Sequence, residues 1–395
     1  MSQIFRCGLL WNGEKFLPNA ALVVSHGKVL ANTFESSEEE TDLGPDSVIL
    51  PGLINAHVHL DLSFARIPPT DNFVLWIQKV LEHRMELSPK TTLEAIRVGI
   101  QESLQSGVTS LGDISPNGAS WEVLEEFGLK GTIYRECLGL TPERVESTLC
   151  QWEEWLIHHE PTKSIQPGIS PHAPFTTSRK IFEFAAHCGL PVTTHLGETP
   201  EEVQFLSHRD GPIGELLLKK GIDPALCHFQ SVGEVVQIFA KTHRLGLVHS
   251  NYGEIAYPLG VGQFRVHCPG THSYFSRKSH PFDHPKFFPQ EWILATDGRS
   301  SNADLNLWSQ VKKVAKDRPN IAPEALLRMV TVNPAKMMGM GKQIGKLLPQ
   351  MAADFVIGRL NRPVGKEEIP TKKIFDEIEE FESVWVNGEA KKANS

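Results

Sequence analysis

"PGLINAHVHLDLSF", residues 51–64, sets two imidazoles one residue apart, His57 and His59, at the end of an apolar run. With the residues before it, "SVILPGLINAHVHL" reads as a buried strand, and residues two apart in a strand point the same way. The pair therefore offers two ring nitrogens on one side, where a buried strand meets water. Alone, such a pair is equally well two hydrogen-bonded polar side chains. The reading turns on what the other segments bring beside it.

Those segments alternate. "TTLEAIRVGIQESLQSG" has helical spacing, with Thr91 and Glu94 standing as a capping box and Gly107 beyond the end. Strand-like runs follow in "VTSLGDIS", "GTIYRECLGL", "SIQPGISPHA", "PVTTHLGE", "RLGLVHSN", "FRVHCPGTH" and "WILATDG". Roughly eight strands alternating with helices over about 290 residues is what a (β/α)8 barrel requires. An open doubly wound sheet competes, but no glycine-rich phosphate loop follows the first strand. The two chain ends carry short strands and tight turns instead. "ALVVSHGKVLAN" turns at His26-Gly27, and "FESVWVNGEA" closes on Asn387-Gly388 after the strand "ADFVIGRL". Lone hairpins are barely stable, so strands at both ends are expected to share one small β-sandwich. The expected fold is α/β: a TIM-like barrel over 51–344 and a split sandwich over 1–50 and 345–395.

The 395 residues, 40% of them apolar, are enough for a large domain with an appendage. A net charge of −8 weighs against nucleic-acid or anionic-membrane partners, which select basic surfaces. "MSQIFRCGLLWNGEKF" lacks the pattern of a signal peptide, and no run has the apolar length of a membrane span. The six cysteines are scattered with no C-x-x-C pair, which fits reduced thiols. The expected setting is cytoplasmic, with a small-molecule substrate, no nucleic acid, no membrane, and a homodimer as the default assembly.

In such a barrel each strand ends at the catalytic face. The strand ends here carry His57, His59, Asp113, Glu136, His172, His195 with Glu198, His249, His272 and Asp297. His195 can add a third nitrogen from across the barrel, and Asp297 an oxygen from the last strand, which neighbours the first. Three neutral imidazoles and one carboxylate suit a single divalent cation with an open position, zinc first, with iron(II) and manganese(II) also compatible. Asp113, Arg135 and Glu136 read instead as an ion-pair network. Phe73 and Trp76 in "DNFVLWIQKVLEHR" read as core packing first, with a substrate lid as the second reading.

Taken together, "PGLINAHVHLDLS", "SPHAPFTTS", "THLGETPEE", "LVHSNYGE" and "ATDGRSSNADLNLW" resemble the amidohydrolase superfamily. The likeness is to its mononuclear-metal deaminase and chlorohydrolase branch, which includes nucleoside and aminodeoxyfutalosine deaminases. The resemblance implies metal ligands at His57, His59, His195 and Asp297, a proton-shuttling acid at Glu198, and at His249 the histidine beside the attacking water. It implies a substrate-facing His172. His272, Arg299 and Asn302 are candidate substrate contacts from their own positions, with surface or loop-bracing roles as the alternative. The fourth strand holds no lysine to bridge a second metal, since Lys163 precedes it, so one metal is expected. Gly298 and Arg299 after the aspartate, and "HCPGTHSYF" in the seventh strand, depart from the usual pattern and leave the substrate undefined. The implied activity is hydrolysis of a non-peptide carbon–nitrogen bond by an activated water, as in deamination of a nucleoside-like or other amino-heterocycle. Dechlorination and cyclic-amide hydrolysis are the alternatives on the same site. A non-catalytic scaffold would predict broken ligands, and none is broken. Glu198 lies just before Pro200, in what reads as a helix start, which favours its ionised form; enclosure by substrate favours the neutral acid. Neutrality is therefore expected only in the complex.

Overall fold

The segment expected to be one strand is two. In the computed structural model, which describes residues 2–31, 39–253, 257–277, 282, 288–365 and 371–391, Ser47–Pro51 belongs to one sheet and Leu53–Val58 to another. Gly52 is the joint. A Cβ there would stand 2.2 Å from Thr109 Oγ1, so a side chain would block the crossing from sheet to sheet.

Leu53–Val58 is β1 of an eight-stranded parallel sheet that runs in chain order. It continues through β2 (Val108–Ser115), β3 (Lys130–Cys137), β4 (Ile165–Pro171), β5 (Val192–Leu196), β6 (Leu245–His249), β7 (Gln263–His267) and β8 (Trp292–Leu294). Helices cover its outside, so the strands are buried on both faces and read as nearly continuous apolar runs. The last gap, between β8 and β1, is closed just past the end of β8. Asn55 donates through Nδ2 to Thr296 Oγ1 at 2.7 Å and accepts the Thr296 N–H through Oδ1 at 3.2 Å. The Asp297 N–H then reaches His57 O at 3.1 Å.

Two helices follow β1: α1 (Phe73–Glu86) and α2 (Pro89–Gln105). The cap of α2 is Ser88, not Thr91. Its hydroxyl accepts the Thr91 N–H at 3.1 Å. Pro89 has no N–H to leave unpaired in a first turn, so the helix begins one turn earlier than the Thr91–Glu94 spacing indicates.

The chain ends meet in a second eight-stranded sheet. Its order is Glu389–Lys391, Ser383–Val386, Phe355–Arg359, Ser47–Pro51, Ser2–Trp11, Phe16–Ser25, Lys28–Ala31, with Glu39–Asp42 also on Ser2–Trp11. Both expected hairpins form, each on two left-handed residues: φ is 51° and 73° at His26 and Gly27, and 53° and 74° at Asn387 and Gly388. Phe5, Leu22, Ile49 and Phe355 fill its core. Among the described residues, no helix is long and apolar enough to cross a membrane.

A buried ion pair ties this sheet to the barrel. Lys130 Nζ, at the start of β3, donates to both oxygens of Asp354 at 2.9 Å and to Asn387 Oδ1 at 2.5 Å. Lys130 and Asp354 are only 2% and 4% exposed. Removing one partner leaves a buried charge uncompensated, so Asp354→Asn should lower unfolding free energy by about 3–5 kcal/mol in urea titrations. A loss below about 1 kcal/mol would mean that the pair is dispensable.

Candidate active site

Barrel closure sets a carboxylate against two imidazoles. His57 Nε2 and His59 Nε2 each lie 3.6 Å from Asp297 Oδ1, and His59 Nε2 lies 3.4 Å from His195 Nε2. His57, His59 and Asp297 offer atoms all within 4.8 Å of one another, as do His57, His195 and His249. His57 is fully buried, and among the described residues neither of its ring nitrogens has a hydrogen-bond partner. Buried polar atoms are costly when left unmatched, and a cluster of them converging on one point is a cation site by chemistry.

Neighbours aim each group. Asp297 Oδ2 accepts from Thr271 Oγ1 at 2.9 Å and Ser301 Oγ at 3.0 Å. Oδ1, which takes only the Gly298 N–H at 2.8 Å, is left facing the histidines. His195 Nδ1 meets His172 O at 2.9 Å, a contact that requires the proton on Nδ1 and turns a bare Nε2 to the cluster. His249 and Asp297 hold left-handed backbone angles, φ of 67° and 62°, which non-glycine residues rarely adopt.

Electrostatics match. Burial pushes His59, His195 and His249 well below the usual imidazole range, keeping them as neutral donors of lone pairs. Burial also works against ionised Asp297, but His57, His59 and His249 around it more than offset that, and its carboxyl is held well below the usual range. Glu198 goes the other way: burial first, then the charges of Asp297 and Glu202, push its carboxyl well above the usual range. Enclosure within the fold thus favours the neutral acid, the direction that the sequence reading expects in the complex. Glu198 Oε1 stands 3.6 Å from His249 Nε2.

His59, His195, Glu198, His249 and Asp297 line a cavity of about 490 Å³. Its wall includes Phe73, Trp76, Ile77, Val80, Leu81 and Arg84, one face of α1 at spacings of three and one. Phe73 and Trp76 thus pack on each other, with ring centroids 5.6 Å apart, and also line the site. His172 lines it too; burial and then Arg84 push its imidazole down to about 3, and Thr176 Oγ1 sits 2.7 Å from its Nδ1. His272, Arg299 and Asn302 are not among the lining residues. His272 lies buried beside His267, ring centroids 5.3 Å apart. Arg299 reaches Glu102 at 2.9 Å, and Asn302 donates to Thr296 O at 2.8 Å, bracing the seam.

The network near Asp113 has another centre than expected. Glu136 meets Arg84 at 3.4 Å instead of Arg135, and Arg84 Nε donates to Asp61 Oδ2 at 2.9 Å. Arg84 and Glu136 both line the cavity, a role that the sequence reading misses; the signal for Arg84 is its helical spacing from Trp76. Asp113 itself accepts the Leu60 N–H at 2.9 Å, and burial pushes its carboxyl up to about 7. An acid whose pKa is raised by folding binds more protons folded than unfolded, so its contribution to stability falls as pH rises from the ordinary carboxylate range towards 7. Denaturation of wild type and Asp113→Asn between about pH 5 and 8 should show the wild type losing stability relative to the variant; parallel curves would contradict this.

The sequence matches the amidohydrolase family over residues 48–392. The chain belongs to that family. It is 27% identical over 384 residues to 5-methylthioadenosine/S-adenosylhomocysteine deaminase of Pyrococcus furiosus, covering 91% of this chain and 87% of that one. It is 24% identical over 370 residues to aminodeoxyfutalosine deaminase of Deinococcus radiodurans, covering 85% and 86%. Among solved structures, aminofutalosine deaminase of Helicobacter pylori in complex with methylthio-coformycin superposes with a TM-score of 0.84 at 20% identity, over 99% of this chain and 100% of that one. The zinc and atraton complex of an atrazine chlorohydrolase mutant from Arthrobacter aurescens gives 0.75 at 20% identity, over 98% and 94%.

This amidohydrolase is a metal-dependent hydrolase of carbon–nitrogen bonds, and its cluster of imidazoles with the Asp297 carboxyl fits the cation that the family uses. Asp297→Asn and His57→Ala should each bring bound metal from near one equivalent to below about 0.2, read by elemental analysis after dialysis. Full retention in both would place the cation elsewhere.

Proposed function

We propose that this protein is a zinc-dependent hydrolytic deaminase of adenosine-like nucleosides whose 5′ substituent carries no phosphate. The observation that carries the reading is Glu198: a buried carboxyl, pushed well above the usual range by burial, 3.6 Å from His249 and beside the cluster of His57, His59, His195 and Asp297. A base that must gain a proton at a ring nitrogen as water attacks its amine-bearing carbon needs such an acid. The named deaminases to which the chain is similar act on nucleosides of this kind by their names, which supports the choice of substrate.

When bound, the cation supplies the Lewis acidity that makes water nucleophilic near neutral pH. His57, His59, His195 and Asp297 would hold it. Asp297, kept ionised, takes a proton from the attacking water, and His249 Nε2 directs that water towards the ring. Glu198 gives its proton to the ring nitrogen as the carbon–oxygen bond forms. The carbon–nitrogen bond then breaks, the amine leaves as ammonia with the protons passed through these carboxylates, and a carbonyl remains on the ring. Balance is kept: amine and water in, ammonia and carbonyl out.

The cavity supports a substituent without a phosphate. Arg84 is committed to Asp61 and Glu136, and the other lining cation, Lys220, is exposed. Phe73, Trp76, Ile77, Leu217 and Ile222 offer apolar surface, not donors for a phosphate.

The metal-loaded protein should release ammonia from 5′-deoxyadenosine, methylthioadenosine or aminodeoxyfutalosine, with kcat/KM for adenosine monophosphate lower by about 100-fold or more. Glu198→Gln should lower kcat by about 10²–10⁴-fold with metal retained. Chloride from a chlorotriazine without ammonia from any nucleoside would replace this reading with the dechlorinase one.

A further inference from the structure

The turn that carries Glu198 is gripped by a deeper carboxylate. Glu202 lies in the first turn of α3 (Pro200–His208), is fully buried, and does not line the cavity. Its Oε1 accepts the Gly197 N–H at 3.0 Å, and its Oε2 the Glu198 N–H at 2.9 Å. Thr199 Oγ1 caps the helix by accepting the Glu202 N–H at 3.0 Å. In a Thr-x-x-Glu capping box the glutamate returns to the N–H of the cap residue itself. Here the fork reaches past Thr199 to the two residues before it.

The opposite flank is held as well. Gly197 O accepts the N–H groups of Asn251 at 3.0 Å and Tyr252 at 2.8 Å, and Asn251 Nδ2 donates to Glu198 O at 3.3 Å. Gly197 has φ of 61°, and a Cβ on it would stand 2.2 Å from Tyr252 O, so the turn accepts only glycine. Among the described residues no cation pairs with Glu202, and burial pushes its carboxyl up to about 7. A carboxylate placed at such a cost, with both oxygens spent on consecutive amides, has a use beyond capping.

We propose that Glu202 is a positioning residue: by bridging the Gly197 and Glu198 amides it fixes the backbone from which the acid projects towards His249. The proposal rests on the reading of Glu198 as the acid.

Two variants separate positioning from capping. In Glu202→Gln, the amide nitrogen faces one of the two N–H groups and that bond is lost. Thr199→Ala breaks the cap and leaves the fork. In metal-loaded protein, Glu202→Gln should speed hydrogen exchange at Gly197 and Glu198 by about tenfold or more, while Thr199→Ala leaves both amides within about threefold of wild type. With substrate, Glu202→Gln should lower kcat by about 10–100-fold with KM within about threefold; Thr199→Ala should lower Tm by a few degrees with kcat within about threefold. Should Glu202→Gln fail to fold, Glu202→Asp, which draws the same charge back by one methylene, carries the same expectations. Unchanged exchange and kcat in the Glu202 variant, or an equal kcat loss in Thr199→Ala, would overturn the proposal. Absence of ammonia release by wild type would refute the functional reading, and the exchange measurement would still decide the clamp.

Discussion

Closing the last gap of the barrel is the constraint on which the site depends. The Asn55 amide pairs with Thr296, and the Asp297 N–H reaches His57 O, so the end of the last strand is stitched to the first. That stitch carries the only carboxylate of the proposed ligand set to the two histidines of β1. Without it, His57 and His59 would be two buried imidazoles with nothing to share. With it, His57, His59, His195 and Asp297, from three separated parts of the chain, stand side by side.

The convergence is unfavourable locally. His57 is buried with both nitrogens unmatched, and His249 and Asp297 hold strained backbone. Such features persist only where surrounding structure over-determines them, and they gather at functional sites. The surrounding structure here is the continuous apolar packing of the strands, the hydroxyls of Thr271 and Ser301 on Asp297, and the carbonyl of His172 on His195. The same burial that makes the cluster costly sets its chemistry. It pushes the His59 and His195 imidazoles down and the Glu198 carboxyl up.

Much of this is legible in the sequence. Strand ends are readable because a side chain that leaves an apolar run at its last residue has one place to go in a barrel, and the ligand set follows from those ends. Features that depend on three-dimensional crossing are not. "SVILPGLINAHVHL" has no break in hydropathy at Gly52, and only the neighbouring Thr109 shows why glycine is needed there. Arg84 and Glu136 meet across 52 positions, and no local pattern announces that. Arg299 and Asn302 follow Asp297 closely enough to suggest the mouth of the barrel, yet their side chains turn to Glu102 and to the seam. The upward push of burial on Glu198 is also hidden, because helix position is written in sequence and depth of burial is not.

One measurement tests the central claim most directly: a crystal structure of the zinc-loaded protein with anomalous data across the zinc absorption edge. The account predicts a single anomalous peak with His57, His59 and His195 nitrogens and an Asp297 oxygen at about 2.0–2.2 Å. Two peaks, or one peak bound by other side chains, would contradict it.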